Sequence, residues 1–402
     1  MLKTTKGARS AVKYWLAVGV LLTAIGASGA VQAQLVLPTQ GYEATGQAAK
    51  NYTPEEAEAV AVTQKWFASM NDHDMAANMA LVSNDIAFRA DPVQPLVRGA
   101  QGYCGAFPLP THATSMYYID ELYAVGGPRD ALILIKRGDI NEPATEIGFL
   151  GGYRVPVAAL LRVHDGKVTE WYDVPVNKVS IAALPIKMTF GSMPVPERCA
   201  PYKNGVPPAN LDGAKLQLAP PFYGTSKPQF WFNPDEAAAA QTVRAWFAAH
   251  QAGNPLLLGA VVDQKVNFRL KPADGLSSGR DQLLEKLCGV IGHRVDVKEL
   301  FVVGGDYDTA VLARWDTYGA KGNVTRMGSF FRVQHGIIVE AMDSVLDGDE
   351  PTLDPNSPAC KTVNDTLSAA AAAAARRPAG PPPGADPAAA PPPASGPPPH
   401  LP

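Results

Sequence analysis

The chain is sparing with the residues that mark the more specialised protein classes. Its 35 Lys and Arg are nearly balanced by 38 Asp and Glu, for a formal net charge of −3. No Lys/Arg run lies beyond the extreme N-terminus, so electrostatics gives no case for nucleic acid or an anionic membrane as partner. Only four cysteines occur, with no Cys-x-x-Cys and no close Cys/His pair, and the seven histidines show no metal-ligand spacing. That spacing excludes the usual zinc arrangements, and neither a metal nor another cofactor is expected. Beyond Ala33 there is no long apolar run, so no membrane span is expected there.

What is present begins with the N-terminus. Lys3, Lys6, Arg9 and Lys13 precede an uncharged apolar run from Trp15 to Ala30, and Val31-Gln32-Ala33 offers a small-residue exit before Gln34. A basic region, a short apolar region and such an exit read as a secretory signal peptide over residues 1–33. A periplasmic or secreted location follows. Cys104, Cys199, Cys288 and Cys360 then become disulfide candidates, because disulfides persist in oxidising compartments. Four cysteines allow three pairings.

The rest of the chain is organised by an internal repeat. Thr53-Pro54-Glu55-Glu56-Ala57 returns as Asn233-Pro234-Asp235-Glu236-Ala237, and Trp66-Phe67-Ala68 returns at the same offset as Trp246-Phe247-Ala248. Phe88-Arg89 keeps that offset at Phe268-Arg269. Gly126-Gly127 returns slightly earlier, at Gly304-Gly305, and Arg137-Gly138-Asp139 is matched to Arg314-Trp315-Asp316, earlier again by one position. Arg162 through Asp173 returns as Arg332 through Asp343, at the shortest offset of all. Ordered matches with drifting offsets indicate duplication with loop changes. The units are residues 53–179 and 233–348, joined by an irregular Pro/Gly-rich connector, 180–232. Ala/Pro-rich residues 361–402 are expected to be a disordered tail. One bridge per repeat is the favoured pairing, Cys104–Cys199 and Cys288–Cys360.

Each unit reads as helices first and an antiparallel meander afterwards, an α+β pattern. Thr53-Pro54-Glu55-Glu56 is a helix start, with a capping hydroxyl, Pro in the first turn and acids against the dipole. Further helices are expected at about 75–81 and 100–107, with strands at about 86–90, 117–125, 131–139, 157–164 and 167–174. Asp165-Gly166 and His335-Gly336 mark tight hairpins. Trp66 and Trp246 are expected to fill the cores. Arg89 and Arg269 alternate with inward Phe residues and should face the other side of the sheet.

Residues two apart on a strand share a face, so Arg137 and Asp139 project together, as do Arg314 and Asp316. Asp173 and Asp343 lie on the last strand of each unit, reached through a hairpin. One interior then holds two carboxylates with an arginine between them. The guanidinium favours ionised carboxylates while burial opposes ionisation, and this split suits a general acid and a general base.

Strand-Arg-x-Asp, a Gly-containing hairpin and Trp-x-Asp resemble limonene-1,2-epoxide hydrolase and its SnoaL-like relatives. The resemblance implies two cone-shaped nuclear transport factor 2-like domains, each a curved antiparallel sheet closed by N-terminal helices, whose outer sheet faces, bearing Arg89 and Arg269, can meet as an intramolecular pseudo-dimer. It assigns Asp173 as base, Asp139 as acid and Arg137 as the bridge, with Asp343, Asp316 and Arg314 as the second set. The Tyr and Asn that hold water in that family correspond to Phe88 and Ala90, and to Phe268 and Leu270. Phe88, Ala90, Trp171 and Phe268 are the expected pocket residues. The expected function is cofactor-independent acid–base chemistry on a small apolar molecule: epoxide hydrolysis, isomerisation or dehydration. The alternative is a non-catalytic periplasmic ligand-binding or scaffold protein. The first repeat is expected to be the working one, because Leu270 replaces Ala90 and Ala341 replaces Trp171 in the second.

Overall fold

The computed structural model describes residues 52–72, 74–89, 92, 94–106, 116–140, 154–176, 197–206, 233–319 and 322–375, with Asp139 described in its backbone only. These residues all belong to one unit, Gln40–Pro402. The signal-peptide reading, Ala90 and most of the connector lie outside them.

The first repeat runs α1 (Pro54–Asn71), α2 (Met75–Ala80), β1 (Val82–Arg89), β2 (Val97–Arg98), α3 (Ala100–Ala106), β3 (Met116–Gly126), β4 (Ala131–Ile140), β5 (Arg154–His164) and β6 (Lys167–Pro175). After a 3₁₀ helix at Glu197–Asn204, the second runs α4 (Pro234–Gln251), α5 (Pro255–Ala260), β7 (Val262–Arg269), β8 (Ser277–Ser278), α6 (Arg280–Leu287), β9 (Arg294–Gly304), β10 (Thr309–Tyr318), β11 (Val324–Gln334) and β12 (Ile337–Asp347). A last helix, α7, covers Pro358–Ala375. Each repeat contributes one six-stranded mixed sheet, in the orders β2-β1-β6-β5-β4-β3 and β8-β7-β12-β11-β10-β9. The pairs β1–β6 and β7–β12 are parallel and the other neighbours antiparallel.

The same local chemistry starts each long helix. Thr53 and Asn233 cap α1 and α4, each in a reciprocal capping box with a glutamate three residues on. The second oxygen of each glutamate reaches the sheet: Glu56 accepts from the Gly126 amide at 3.2 Å, and Glu236 from the Gly304 amide at 3.1 Å. A side chain fits neither glycine, since a Cβ at Gly126 would lie 3.1 Å from Glu56 Cγ and one at Gly304 would lie 2.3 Å from the Thr309 hydroxyl. In both hairpins the two turn residues have positive φ, Asp165 and Gly166 (47° and 66°), His335 and Gly336 (52° and 77°), as a type I′ turn requires.

Strand alternation sorts the apolar side chains into three layers. Ile133, Ile135 and Trp171 enter a core under α1, together with Trp66, Phe67 and Phe88. Val311, Ala313, Trp315 and Ala341 enter the equivalent core under α4. The opposite faces of both sheets share a third layer, with Leu132, Leu134, Leu160 and Tyr172 from one and Leu312, Phe330, Met342 and Leu346 from the other. Backbone bonds cross this layer in matched fashion, the Arg129 amide to the Leu346 carbonyl at 3.0 Å and the Tyr307 amide to the Val176 carbonyl at 3.3 Å.

Charged side chains cross it too. Arg89 pairs with Glu340 at 2.6 Å, and Arg269 with Glu170 at 2.5 Å. Behind each glutamate stands an arginine of its own repeat and then an aspartate: Arg162 with Asp130 (2.8 Å) and Arg332 with Asp308 (3.0 Å). All eight are nearly sequestered from solvent. Burial raises Asp130 and Asp308 above the usual carboxylate range despite their arginines. Burial alone would lower Arg269, yet the charge and hydrogen bond of Glu170, together with Tyr172 and Asp343, outweigh it and hold the guanidinium above its ordinary value. Such pairs have good geometry and compensated charge, the condition under which buried ions are tolerated.

Both disulfides are present, Cys104–Cys199 and Cys288–Cys360, with sequence separations of 95 and 72. They are of the kind that persists in an oxidising compartment. The first ties α3 to the 3₁₀ helix within the 180–232 connector; the second ties the end of α6 to α7. That second tie corrects the tail, which was expected to lack structure from Lys361 onward. Ser357 accepts from the Cys360 amide at 3.1 Å and donates to the Cys288 carbonyl at 3.0 Å, nucleating α7. Val363 is buried against the second core, and the alanine run that follows has the highest helix propensity. Residues 376–402 lie outside the described part.

Candidate active site

Trp171 and Asp173 share the interior face of β6, and Arg137 shares that of β4 with Ile133 and Ile135. Arg137 meets Asp173 there in a two-pronged pair, Nη1 to Oδ1 at 2.9 Å and Nη2 to Oδ2 at 2.8 Å. Both residues are 3% exposed. Trp171 donates its indole N–H to the same carboxylate, and the guanidinium lies 5.3 Å from the Tyr117 and Trp171 rings. Phe88 packs on Trp171 with centroids 4.5 Å apart. Burial pushes the Tyr103 phenol well up, and its hydroxyl donates to Asn78 at 2.8 Å. This interior is crowded and aromatic, and each oxygen of Asp173 accepts from the guanidinium. The side chain of Asp139, the expected acid, lies outside the described residues.

The second repeat does not reproduce this arrangement. Arg314 stands on the opposite face of β10 from the core residues Val311, Ala313 and Trp315. Its side chain is 22% exposed and pairs with Glu299 at 3.3 Å. Asp316 is likewise turned away, 3.9 Å from Lys298 and 4.0 Å from Arg326. Neither joins Asp343. The pairing registers explain why. Arg137 is opposite Val157 on β5, and Trp315 is opposite Met327 on β11. Val157 and Met327 are themselves equivalent, at the offset that relates Arg162 to Arg332 and Asp173 to Asp343. The structural partner of Arg137 is therefore Trp315, which is also where counting on from the Gly126 and Gly304 match leads. Matching Arg137 to Arg314 is a slip of one residue, and one residue on a strand reverses the face.

The substitution of Trp315 for Arg137 changes the chemistry around the last-strand aspartate. Ala159 opposite Asp173 becomes Ser329 opposite Asp343. Trp315 donates its indole N–H to the Ser329 hydroxyl at 2.7 Å, and Ser329 donates to Asp343 at 2.6 Å. A neutral relay thus stands where the first repeat has a cation. Among the described residues Asp343 has no salt-bridge partner. It is half-buried between Ala341 and Val345 on the interior face of β12, where Leu270, Val345 and Leu367 are partly buried against the core. Burial pushes its carboxyl up to about 6, against the Ser329 hydrogen bond and the more distant charge of Arg269. Phe268 is fully buried in this core, with Lys286 over its ring at 5.3 Å.

Ser329 and Trp315 escaped the sequence reading because Arg-x-Asp is the more conspicuous polar triplet. The unbroken offset from Gly126 along β4 was the available signal.

No protein-family model matches the chain, and no curated protein matches it in sequence. Solved structures do show similarity. A nuclear transport factor 2-like protein of unknown function from Mesorhizobium loti is 27% identical, matching 29% of this chain and 98% of its own, with TM-score 0.26. A second such protein, from Burkholderia xenovorans, is 15% identical over 30% of this chain and 91% of its own, with TM-score 0.26. A ketosteroid isomerase-like protein from Erwinia carotovora atroseptica is 16% identical over 29% of this chain and 100% of its own, with TM-score 0.25.

Proposed function

We propose that the chain is an exported tandem of two nuclear transport factor 2-like, SnoaL-like units whose second half carries out cofactor-independent proton transfer on a small apolar molecule. The observation that carries this reading is the setting of Asp343: a half-buried carboxylate on an apolar interior face, oriented by Ser329 and Trp315 without a cation. A carboxylate freed from an ion pair and partly desolvated is a stronger base than one in water, and the hydroxyl fixes its direction. Asp343 takes a proton from an activated carbon or from water, and returns it at the next position or to a leaving oxygen. Isomerisation, dehydration and epoxide opening are all served by such a group.

This reverses the order expected from sequence, where the first repeat led. Asp173 has both oxygens gripped by Arg137 and is sequestered from solvent, which suits a structural ion pair. The scaffold alternative therefore applies to the first half, which packs against the second through the shared layer as a fused pseudo-dimer.

The test is turnover of small epoxides and β,γ-unsaturated ketones by the full chain. Asp343→Asn should lower turnover by about 10²–10⁴, as for loss of a general base. Asp173→Asn, compared per folded molecule, should leave it within a few-fold. The reverse pattern, or no turnover of either substrate class by the unaltered protein, sinks the proposal.

A further inference from the structure

The interior stripe of α4 runs Ala239, Ala240, Val243, Trp246, Phe247 and His250, spaced three and four residues apart as a core-facing helix requires. All but the last are apolar. His250 is 3% exposed, its Nδ1 has no hydrogen-bond partner, and its ring centroid lies 6.0 Å from that of Trp315. The repeat supplies an internal control. At the offset that relates Trp66 to Trp246, the first repeat has Met70, which is completely buried in its core. An apolar side chain thus satisfies the packing at this place in the fold. Imidazole there leaves a buried polar atom unsatisfied, which costs stability unless something else uses it.

Trp315 stands between this imidazole and the Ser329–Asp343 relay, touching one with its ring and the other with its indole N–H. Two residues along the same face of β10, Thr317 is 2% exposed and its hydroxyl also lacks a partner. We propose that His250 is a substrate-orienting residue that hydrogen-bonds the oxygen of a carbonyl or hydroxyl group on an otherwise apolar ligand. This rests on the reading of the second repeat as the working half, and it narrows the substrate class from apolar molecules to those with one neutral oxygen function. Burial and the neighbouring His293 hold the imidazole down to about 4, so it is neutral at physiological pH. A neutral ring offers one N–H donor and one acceptor, which suits an uncharged oxygen and offers a carboxylate no counter-charge.

The experiment compares cyclohexanone with methylenecyclohexane, which has nearly the same shape and no oxygen, as ligands of the full disulfide-bonded chain. The unaltered protein should bind the ketone about five to ten times more tightly, the range of one net hydrogen bond, and the ketone alone should move the His250 ¹⁵N resonances. His250→Met, which installs the first repeat's residue, should remove the preference while keeping the hydrocarbon affinity. Equal preference in the unaltered protein and His250→Met, still imidazole resonances, or binding of neither probe overturns the proposal. A His250-dependent preference in a protein that turns nothing over would sink the catalytic reading and leave this one standing.

Discussion

Tyr123 and Phe301, which occupy the same position in the two repeats, stack on one another with centroids 4.9 Å apart and rings 20° from parallel. Equivalent residues touch each other only near an axis of twofold symmetry. The matched backbone bonds and the exchanged pairs Arg89–Glu340 and Arg269–Glu170 lie around that contact. The shared layer is thus self-complementary, built from one surface used twice.

That symmetry sets the first prediction. Removing the cross-layer arginine leaves each buried glutamate only the arginine of its own repeat, so Arg89→Ala and Arg269→Ala should each cost about 3 kcal/mol, the low end for breaking a buried pair. Chemical denaturation should give similar losses for the two. A loss below about 1 kcal/mol for either, the scale of an exposed pair, would mean that its glutamate is held adequately by Arg332 or Arg162 alone.

A second prediction concerns pH. In the folded chain Asp343 keeps its proton up to about 6, against an ordinary 3.8. Between these values the folded state holds a proton that the unfolded state has lost. Stability therefore falls as pH rises through that window, by on the order of 3 kcal/mol from this group, and levels off above it. Asp130 and Asp308, also raised by burial, contribute slopes of the same sign. The informative quantity is therefore the difference between the unaltered chain and Asp343→Asn, which should shrink the slope. Activity should run the other way, declining as pH drops through about 6 and the base is protonated.

A third prediction exchanges the repeats' chemistry. Trp315→Arg places a guanidinium where Arg137 stands in the first repeat. An opposite charge at that range lowers a carboxyl by about 1–3 units. Carboxyl NMR should show Asp343 titrating well below its position in the unaltered chain, with turnover lost as the base is neutralised. An unmoved midpoint would show that Trp315 and Arg137 do not share a site.

Much of this architecture was legible in sequence, and the failures are local. Thr53-Pro54-Glu55-Glu56 and Asn233-Pro234-Asp235-Glu236 start helices wherever they occur, because the chemistry lies within a single turn. Asp165-Gly166 and His335-Gly336 turn hairpins for the same reason. Strand parity puts Arg137 and Asp173 on one interior face, where their side chains pair. For Arg314 the same parity turns a one-residue misalignment into the wrong face. The height of Asp343's carboxyl was invisible, since it depends on Ser329 and Trp315 arriving from two other strands.

A fourth prediction addresses the second bridge. Cys288→Ser with Cys360→Ser should cost about 2–4 kcal/mol, the usual worth of a disulfide closing a long loop. Hydrogen exchange should rise first in α7, whose only described buried anchors besides Cys360 are Ala359 and Val363. Uniform loosening of both sheets would show that α7 is not a separate local unit.

The shared layer between the sheets has a genetic consequence. In a dimer of identical chains, every mutation strikes both active centres at once, so neither can be rebuilt while the other is preserved. Here both partners are written into one chain, and a codon change is felt on one side only. The Arg137–Asp173 clamp and the Trp315–Ser329–Asp343 relay are two answers at one address, and covalent fusion lets a single molecule keep both.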